Sequence, residues 1–361
     1  MRLVMAGGGT GGHLFPALAL ADEFKSREGD VEILFIGGRG GLEENIVRKY
    51  GYPLELLAVE AFKNKKGVWS RIRSIFKAFV ATVKSYVILR RFKPDGVIGS
   101  GSYSSGPVVL AAKIMGIKTA ILEQNVLPGL TNRFLGRLVK RVYIAFDDAL
   151  DYFPPDRTRI VGTPIRDSII RAADEADLAP KGRAGKFTVF VFGGSQGATA
   201  INAAFLDAAE FLTDIWSGLR VIHQTGMEGF SVTEKAYERK GLNVELYRFI
   251  EDIASSYKEA DLIISRAGAT TIAEINALGL PSILVPYPFA SGGHQEINAR
   301  YLEKKGASVM LSQDTLTGSV LAEAVRSFYN DRAKLKRLGR ESRKLGRPKA
   351  AKTIANDFSV L

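Results

Sequence analysis

Three glycine-rich loops constrain the fold of this chain more than any other feature of its sequence. They occupy residues 7–13, 193–197 and 266–271, and each follows an apolar run typical of a strand and opens a helical pattern. A turn of this kind points unpaired backbone N–H groups and the positive end of a helix at an anion. Because the loops fall in both halves of the chain, we predict two nucleotide-binding-type α/β domains facing one another, with a phosphate-bearing ligand between them.

Apolar runs alternate with helical patterns along the chain, and this βα rhythm predicts doubly wound parallel sheets. In such sheets ligands bind beyond the carboxyl ends of the strands, which is where all three glycine loops lie. The predicted strands cover residues 2–6, 32–37, 96–100, 119–123, 141–145, 188–192, 221–224, 244–247, 262–265 and 282–285.

The length of 361 residues exceeds the size at which one core usually keeps growing, so we expect two domains. The predicted N-terminal domain covers residues 1–163 and is rejoined by a final helix at about 342–361. The predicted C-terminal domain covers residues 164–341, and the linker between the two lies within 163–185, where proline, glycine and basic residues cluster.

Composition excludes several classes of protein. The chain has no cysteine, which excludes disulfides and thiolate metal sites. The longest uncharged stretch, residues 96–112, is interrupted by Gly, Ser and Pro, so we expect no transmembrane helix. The first strand begins at residue 2, which leaves no room for a signal sequence. The net charge of +12 indicates an anionic partner: nucleic acid, a phosphorylated substrate or a membrane surface.

The first glycine loop matches the dinucleotide fingerprint G-x-G-x-x-G, which by itself is a weak signal. A dinucleotide site also needs an acidic residue at the end of the second strand to hold the ribose, and here that strand ends in Gly37-Gly38-Arg39. No G-x-x-x-x-G-K-[ST] phosphate loop occurs either. The sequence therefore disfavours a nicotinamide or flavin enzyme and an ATP or GTP hydrolase of the phosphate-loop type.

The three histidines all lie in or beside glycine-rich turns. His13 follows a run of glycines at a predicted helix start, where a base that is neutral near pH 7 can meet a substrate. We expect His13 to be functional. For His223 and His294 a structural role is an equally good interpretation.

Six motifs stand in collinear order between Met1 and Ala299 and resemble one family, the MurG family of bacterial N-acetylglucosaminyltransferases that convert lipid I to lipid II in peptidoglycan synthesis. The match is weaker in residues 58–91 and after 306. The motifs are Gly-Gly-Thr-Gly-Gly-His-x-x-Pro-Ala-Leu-Ala at 8–19, Gly-Ser-Gly-x-x-Ser-Ser-Gly-Pro at 99–107, Glu-Gln-Asn-x-x-Pro-Gly-x-x-Asn-Arg at 123–133, Gly-Gly-Ser-Gln-Gly-Ala at 193–198, Ser-Arg-Ala-Gly-Ala at 265–269 with Glu274, and His-Gln-x-x-Asn-Ala at 294–299.

The resemblance implies a GT-B glycosyltransferase fold, in which UDP-N-acetylglucosamine is held mainly by the second domain and lipid I approaches the first. It implies that Ser195 binds the diphosphate, that Ile250 meets the uracil edge through its backbone, that Glu274 accepts from ribose hydroxyls and that Gln295 holds sugar hydroxyls. The full set implied for the donor is Thr10, Gly11, Gly12, Asn125, Arg166, Ser195, Ile250, Ala269, Thr270, Thr271, Ile272, Ala273, Glu274 and Gln295.

The implied reaction is an inverting displacement at the anomeric carbon by the 4-hydroxyl of the N-acetylmuramoyl unit, with His13 as the candidate general base. No Asp-x-Asp occurs, so we expect no metal or other cofactor; helix-end N–H groups and Arg166 would stabilise the departing diphosphate.

Three other functions stay open at this point. Within enzymes, another GT-B UDP-sugar transferase or a UDP-sugar epimerase would use a similar fold. A sugar-nucleotide sensor would keep Ser195 and Glu274 and would have no need of His13. A nucleic-acid-binding protein would explain the charge, but the basic residues are not interleaved with stacking aromatics, so we expect no nucleic-acid partner.

The positive charge is concentrated in residues 63–93, which hold ten Lys or Arg and no Asp or Glu. A helix over about 69–91 would carry an apolar face that includes Phe79, with basic residues along its flank. That pattern predicts a peripheral protein on an anionic membrane surface. The lipid-linked acceptor that the resemblance implies would place the protein at the cytoplasmic face of the inner membrane. The alternative is an ordinary core helix with a solvated basic edge. The membrane-contact candidates are Arg73, Lys77, Phe79, Lys84 and Arg91.

Overall fold

The computed structural model of the chain describes residues 1–27, 29–58, 68–175, 185–194 and 196–361, with the side chains of 68–75 outside that description. It divides the chain into two compact units, one formed by Met1–Arg166 with Lys349–Leu361 and the other by Asp167–Pro348. The chain returns to the first unit later than the 342 expected from sequence. Helix Arg332–Leu345 buries Leu335 and Ser342 in the second unit, and Gly346 and Pro348 follow its end.

Each unit is built on one parallel sheet whose strands alternate with helices. The first unit contains strands β1 Arg2–Ala6, β2 Glu32–Gly38, β3 Leu54–Leu57, β4 Gly96–Gly99, β5 Lys118–Glu123, β6 Arg141–Ile144 and β7 Thr158–Ile160. The second unit contains strands β8 Phe187–Phe192, β9 Leu219–Gln224, β10 Glu245–Tyr247, β11 Leu262–Ser265, β12 Ser282–Leu284 and β13 Val309–Met310.

The strand order in both sheets is that of a doubly wound fold. It runs β3-β2-β1-β4-β5-β6-β7 in the seven-stranded sheet and β10-β9-β8-β11-β12-β13 in the six-stranded sheet. The order reverses between β1 and β4 in the first unit and between β8 and β11 in the second. Ligands of doubly wound sheets bind in the crevice at such a reversal, so the loops after these four strands mark the candidate site of each unit.

Helices cover both faces of each sheet. They are α1 Gly11–Arg27, α2 Glu43–Lys49, α3 Val68–Phe92, α4 Ser105–Ile114, α5 Leu130–Leu135, α6 Asp167–Asp174, α7 Thr199–Phe211, α8 Phe230–Arg239, α9 Ile253–Glu259, α10 Ala269–Leu278, α11 His294–Lys304, α12 Gly318–Asn330, α13 Arg332–Leu345 and α14 Ala350–Ser359.

The core explains why the central strands read as continuous apolar runs. Along β1, Leu3 and Met5 belong to the cluster under α1 and α14, whereas Val4 and Ala6 belong to the cluster under α3 and α4. Both faces of the sheet are therefore buried, which is the usual condition of a parallel sheet. The last helix closes the first of these clusters, because the ring of Phe358 lies directly against β4.

Candidate active site

The reversal point of the first unit brings two glycine-containing loops into contact. The loop after β1 donates from Gly7 N to Ile36 O at 3.0 Å, and the loop after β4 donates from Ser100 N to Ala6 O at 2.8 Å. A Cβ at Gly7 would lie 2.2 Å from Ser100 Oγ, so the two loops pack this closely only because residue 7 is glycine. The first loop then leads into α1, and His13 stands in the first turn of that helix.

The His13 ring is oriented by groups that accept hydrogen bonds. Its Nδ1 lies 3.0 Å from the carbonyl oxygen of Ser100 and 3.3 Å from Oε1 of Gln124. The Gln124 amide is itself fixed, because its Nε2 donates to the same Ser100 oxygen at 2.9 Å. A carbonyl oxygen only accepts, so the neutral ring carries its proton on Nδ1 and its lone pair on Nε2. This tautomer presents Nε2 as a base.

Glu43 holds the first glycine loop in place, and sequence reasoning missed it. Its side chain is only 1% exposed, and its two oxygens accept from Gly9 N at 2.7 Å and from Gly38 N at 2.8 Å. A Cβ at Gly8 would lie 2.5 Å from this carboxylate. The only signal in the sequence is a Glu at the start of the helix after β2, which is an ordinary position for a Glu.

A second buried carboxylate, Glu123 at the end of β5, organises the loop that carries Asn125. Glu123 Oε1 accepts from the backbone N and the Nδ2 of Asn125, at 3.0 and 3.2 Å, and Oε2 accepts from Gly129 N and Asn132 Nδ2, at 3.2 and 2.9 Å. Burial raises the pKa of Glu123, while these hydrogen bonds act in the opposite direction. Glu123 thus shapes a loop whose Asn125 remains partly exposed.

Arg166 is brought to the helix that carries His13. Its guanidinium carbon lies 5.8 Å from the centre of the Phe15 ring, two residues beyond His13 on α1. Thr10, Gly11 and Gly12 immediately precede His13. Except for Asn125, the residues of the first unit that were predicted to bind the UDP-sugar therefore lie around the start of α1. Gln124, which precedes Asn125, connects that residue's loop to His13.

At the reversal point of the second unit, one buried side chain links the glycine loop to residue 250. Gln224, the last residue of β9, donates from Nε2 to Gly194 O at 3.0 Å and accepts from Ile250 N at 2.8 Å. Of the two backbone groups with which Ile250 could meet a uracil edge, the N–H is thus engaged by Gln224, and the carbonyl is the other. Ser195, expected at the diphosphate, lies outside the described residues.

The helix α10 begins at Ala269, directly after Gly268. N–H groups in the first turn of an α-helix find no acceptor within that helix, so this end suits a phosphate. Glu274 lies farther along α10, is only 2% exposed, and accepts from the Tyr257 hydroxyl at 3.2 Å. The second unit thus places the segment expected to bind a nucleotide, which consists of Ala269, Thr270, Thr271, Ile272, Ala273 and Glu274, on one helix at the reversal point.

Gln295 stands in the first turn of α11, where its Oε1 accepts from Tyr287 N at 3.0 Å. Arg266 contacts the residues just before Tyr287, because its guanidinium donates to the carbonyls of Val285 and Pro286 at 3.2 and 3.1 Å. Gln295 is therefore tied to the loop after β12 through its amide oxygen, and its amide nitrogen is a donor that could serve a sugar hydroxyl.

The remaining histidines have structural partners. His223 is buried between Tyr237 and Asn202, at 2.9 and 3.1 Å, and burial lowers its pKa to about 3. His294 lies 2.6 Å from the carbonyl oxygen of Ser291. Among the described residues, no three His, Asp or Glu side chains cluster as metal ligands would.

The outer face of α3 is apolar and exposed. Phe76, Phe79, Val83 and Val87 are exposed, and Phe79 reaches 65%, whereas residues on the opposite face of the helix are buried. None of the described helices combines the length and apolar content needed to cross a bilayer.

Two of the basic candidates on α3 contact β3. Lys84 Nζ donates to Leu56 O at 3.1 Å, and Arg91 pairs with Glu55. The side chain of Arg73 lies outside the described residues, and so do residues 63–67 of the basic segment.

Comparison with known proteins identifies relatives along almost the whole chain. The Glycosyltransferase family 28 N-terminal domain matches residues 3–144 and the Glycosyltransferase family 28 C-terminal domain matches residues 188–354. A Myxococcus xanthus protein named UDP-N-acetylglucosamine–N-acetylmuramyl-(pentapeptide) pyrophosphoryl-undecaprenol N-acetylglucosamine transferase is 44% identical over 356 residues, which cover 99% of this chain and 92% of that protein.

Solved structures also resemble the chain, and two of them bear on its fold. The crystal structure of MurG from Acinetobacter baumannii has a TM-score of 0.82 and 30% identity, covering 100% of this chain and 99% of that one. A UDP-N-acetylglucosamine 2-epimerase from Neisseria meningitidis, bound to UDP-N-acetylglucosamine, has a TM-score of 0.68 at 12% identity, with 100% of each chain covered. At that identity the second likeness shows the fold alone.

Proposed function

The chain belongs to glycosyltransferase family 28 and to the MurG family within it, and we propose that it carries out the reaction named for those relatives. N-acetylglucosamine is transferred from UDP-N-acetylglucosamine to the N-acetylmuramoyl unit of a pyrophosphoryl-undecaprenol acceptor, which gives lipid II for peptidoglycan. The fold is GT-B. The roles of individual residues given below belong to the same proposal.

One observation carries the catalytic proposal: His13 Nδ1 faces the carbonyl oxygen of Ser100 at 3.0 Å, so the lone pair resides on Nε2. In the proposed step, Nε2 takes the proton from the 4-hydroxyl of the acceptor as that oxygen bonds to the anomeric carbon. The bond from the anomeric carbon to the diphosphate breaks on the opposite face, and UDP leaves with the electron pair. The configuration at the anomeric carbon is inverted.

The leaving diphosphate gains negative charge, which fixed donors stabilise. The first turn of α10 supplies backbone N–H groups, and Arg166, packed over Phe15, supplies a guanidinium on the side of His13. Each fixed donor of this kind contributes about 2.7–4 kcal/mol in comparable anion sites. Gln295 and Asn125 contact the sugar in this proposal, Ile250 meets the uracil, and Ser195 binds the diphosphate.

A transfer assay tests the proposed function directly. The purified chain is incubated with a panel of radiolabelled UDP-sugars and a soluble lipid I analogue, and the labelled acceptor is counted. We expect label from UDP-N-acetylglucosamine on the acceptor, with much less from the 4-epimeric donor, because a site built to hydrogen-bond one hydroxyl rejects its misplacement. Conversion of the donor without an acceptor would support an epimerase, and binding without conversion would support a sensor.

Glu274→Ala is expected to weaken UDP binding by about 1.5–3 kcal/mol, because a charge-assisted hydrogen bond to the ribose is lost. Calorimetry with UDP measures the effect. Thymidine diphosphate, which lacks the 2′-hydroxyl, should bind the variant and the parent more nearly alike. The matched control is Glu296→Ala, which removes an exposed carboxylate whose partner is Arg300. An unchanged UDP affinity for the Glu274 variant would contradict the ribose role.

We propose in addition that α3 attaches the chain to the cytoplasmic leaflet of an anionic membrane. The exposed apolar row of Phe76, Phe79, Val83 and Val87 would enter the interface, and basic residues along the helix would face the lipid phosphates. Each basic residue near such a surface contributes about 1 kcal/mol. The name of the relatives gives a reason for this location, because the acceptor in it is a pyrophosphoryl-undecaprenol, whose hydrocarbon tail belongs in a bilayer.

A double substitution, Phe79→Glu with Val83→Glu, is expected to reduce sedimentation with phosphatidylglycerol vesicles about tenfold or more, since it removes apolar area and adds repulsion. Substituting Lys84 and Arg91 would be less informative, because both contact β3. The matched control is Met227→Glu with Val232→Glu, which adds the same charge at exposed apolar positions of the second unit. Equal sedimentation of the two double variants would refute the membrane role of α3.

A further inference from the structure

A groove opens beside the candidate acceptor site of the first unit, between α3, α4 and α5. Its volume is about 170 Å³. Its walls are mainly apolar, and Lys77 is the cationic residue among those that line it. The residues that matter for the argument are Lys77, Thr82, Tyr103, Leu110, Thr131 and Phe134.

The groove has the size of a small branched hydrocarbon. An apolar cavity of about 150 Å³ in a protein stays dry and accepts a benzene-sized guest of six carbons. One isoprene unit has five carbons, so the groove has room for one such unit and little more. This limit matters for the test, since a long chain would have to leave the groove after its first unit.

The loop after β4 links the groove to the His13 site. A Cβ at Gly101 would lie 2.7 Å from His13 Nδ1, and Tyr103, two residues later, lines the groove. Exposed apolar residues adjoin the groove: Phe134 in its lining is 59% exposed, and Phe79, which follows the lining residue Ala78 on α3, is 65% exposed. A ligand in the groove would therefore have its head toward His13 and its tail toward the apolar face of α3.

The charges at the groove match a diphosphate head. Gly106 and Pro107, in the first turn of α4, line the groove together with Lys77. A helix start and an ammonium group both favour an anion. An anion-favouring end beside an apolar cavity suits a ligand that joins a phosphate to a hydrocarbon.

We propose that this groove binds the isoprenyl unit adjacent to the diphosphate of the lipid-linked acceptor. The inference rests on the proposed function, because it takes the acceptor to be a polyprenyl diphosphate sugar. The groove fixes the first isoprene unit, the diphosphate lies at Lys77 and the start of α4, and the muramoyl sugar reaches His13. The remaining chain passes over Phe134 and Phe79.

The test uses soluble acceptors that carry zero, one, two or three isoprene units on the diphosphate, assayed without vesicles and below their micelle concentration. We expect KM for the acceptor to fall about tenfold between zero and one unit and to change much less with the second and third, because burial of a five-carbon unit is worth at least that factor and the groove holds one unit. A straight alkyl chain of equal carbon number should give a smaller gain, since the methyl branch of an isoprene unit lets it fill more of a compact cavity of this volume.

Two variants that fill the groove, Leu110→Trp and Thr131→Trp, are expected to remove the dependence of KM on chain length while leaving UDP affinity unchanged. The matched control is Val87→Trp, which places the same side chain on the 61% exposed outer side of α3, away from the groove lining. If a filling variant fails to fold, a diazirine on the first isoprene unit replaces it. Photolysis of the parent should then label peptides containing Leu110 or Thr131.

The outcomes separate the groove from the function. A KM that is independent of chain length in the parent, a straight alkyl chain as effective as isoprenyl, or labelling outside the groove would overturn the proposal while leaving transfer intact. Absence of transfer to every acceptor would instead overturn the proposed function on which the inference rests.

Discussion

His13→Ala is expected to lower kcat about 10²–10⁴-fold, the usual contribution of a positioned acid–base group. UDP affinity should change little, because the nucleotide is proposed to lie against the second unit. The physical reason is the fixed tautomer: Ser100 O and Gln124 Oε1 both face Nδ1, so the ring presents its lone pair on Nε2. UDP release at saturating acceptor measures the effect.

Two further variants separate a base from an orienting group at position 13. Gln124→Ala removes one partner of Nδ1 and leaves Ser100 O in place, so we expect a loss in kcat that is much smaller than that of His13→Ala. His294→Ala, which changes a histidine whose Nδ1 faces Ser291 O, serves as the matched control. Full turnover by the His13 variant with acceptor present would exclude His13 as the base.

The central strands of both sheets could be predicted from the sequence, and most of the edge strands could not. The predicted strands all occur, with ends within two residues of those observed. Within the described residues, the strands that were missed are β3, β7 and β13, and each lies at an edge of its sheet; the remaining edge strand, β10, was predicted. Central strands are buried on both faces and read as apolar runs, whereas an edge strand such as Thr158–Ile160 is short and partly exposed, so it lacks that signal.

The family resemblance predicted from six motifs is confirmed by the relatives, and so is the GT-B fold. The spacing of the motifs along the sequence did not predict the side chains that hold them in place. Gln224 satisfies Ile250 N and Gly194 O across loops that are far apart in sequence. Likewise, an apolar stripe on α3 does not tell whether it faces a core. Only burial shows that Ile88 and Leu89 face inward and Phe79 faces out.

Glu43→Ala is expected to lower the free energy of unfolding by about 2–4 kcal/mol and kcat/KM about a hundredfold. Glu43 is almost fully buried, and its carboxylate accepts from Gly9 N and Gly38 N. Without it, two backbone donors lose a charged acceptor, which accounts for the loss of stability. The loop that leads into α1 also loses its anchor, and a displacement of about 1 Å at a reacting group costs about a hundredfold. Urea unfolding and steady-state kinetics measure the two effects.

The neighbouring carboxylate provides the matched control, because Glu44 is also on α2 and accepts from Gly40 N, but at an exposed position. Glu44→Ala should change stability and turnover little, since water replaces an exposed acceptor. Glu43→Gln keeps one acceptor and turns a donor toward the other N–H, so its kcat/KM should lie between those of the parent and Glu43→Ala. If Glu43 only stabilised the fold, its variants would lose stability, but the kcat of the molecules that remain folded would not change. A loss of kcat at full folding, with UDP affinity preserved, therefore identifies Glu43 as the residue that positions His13.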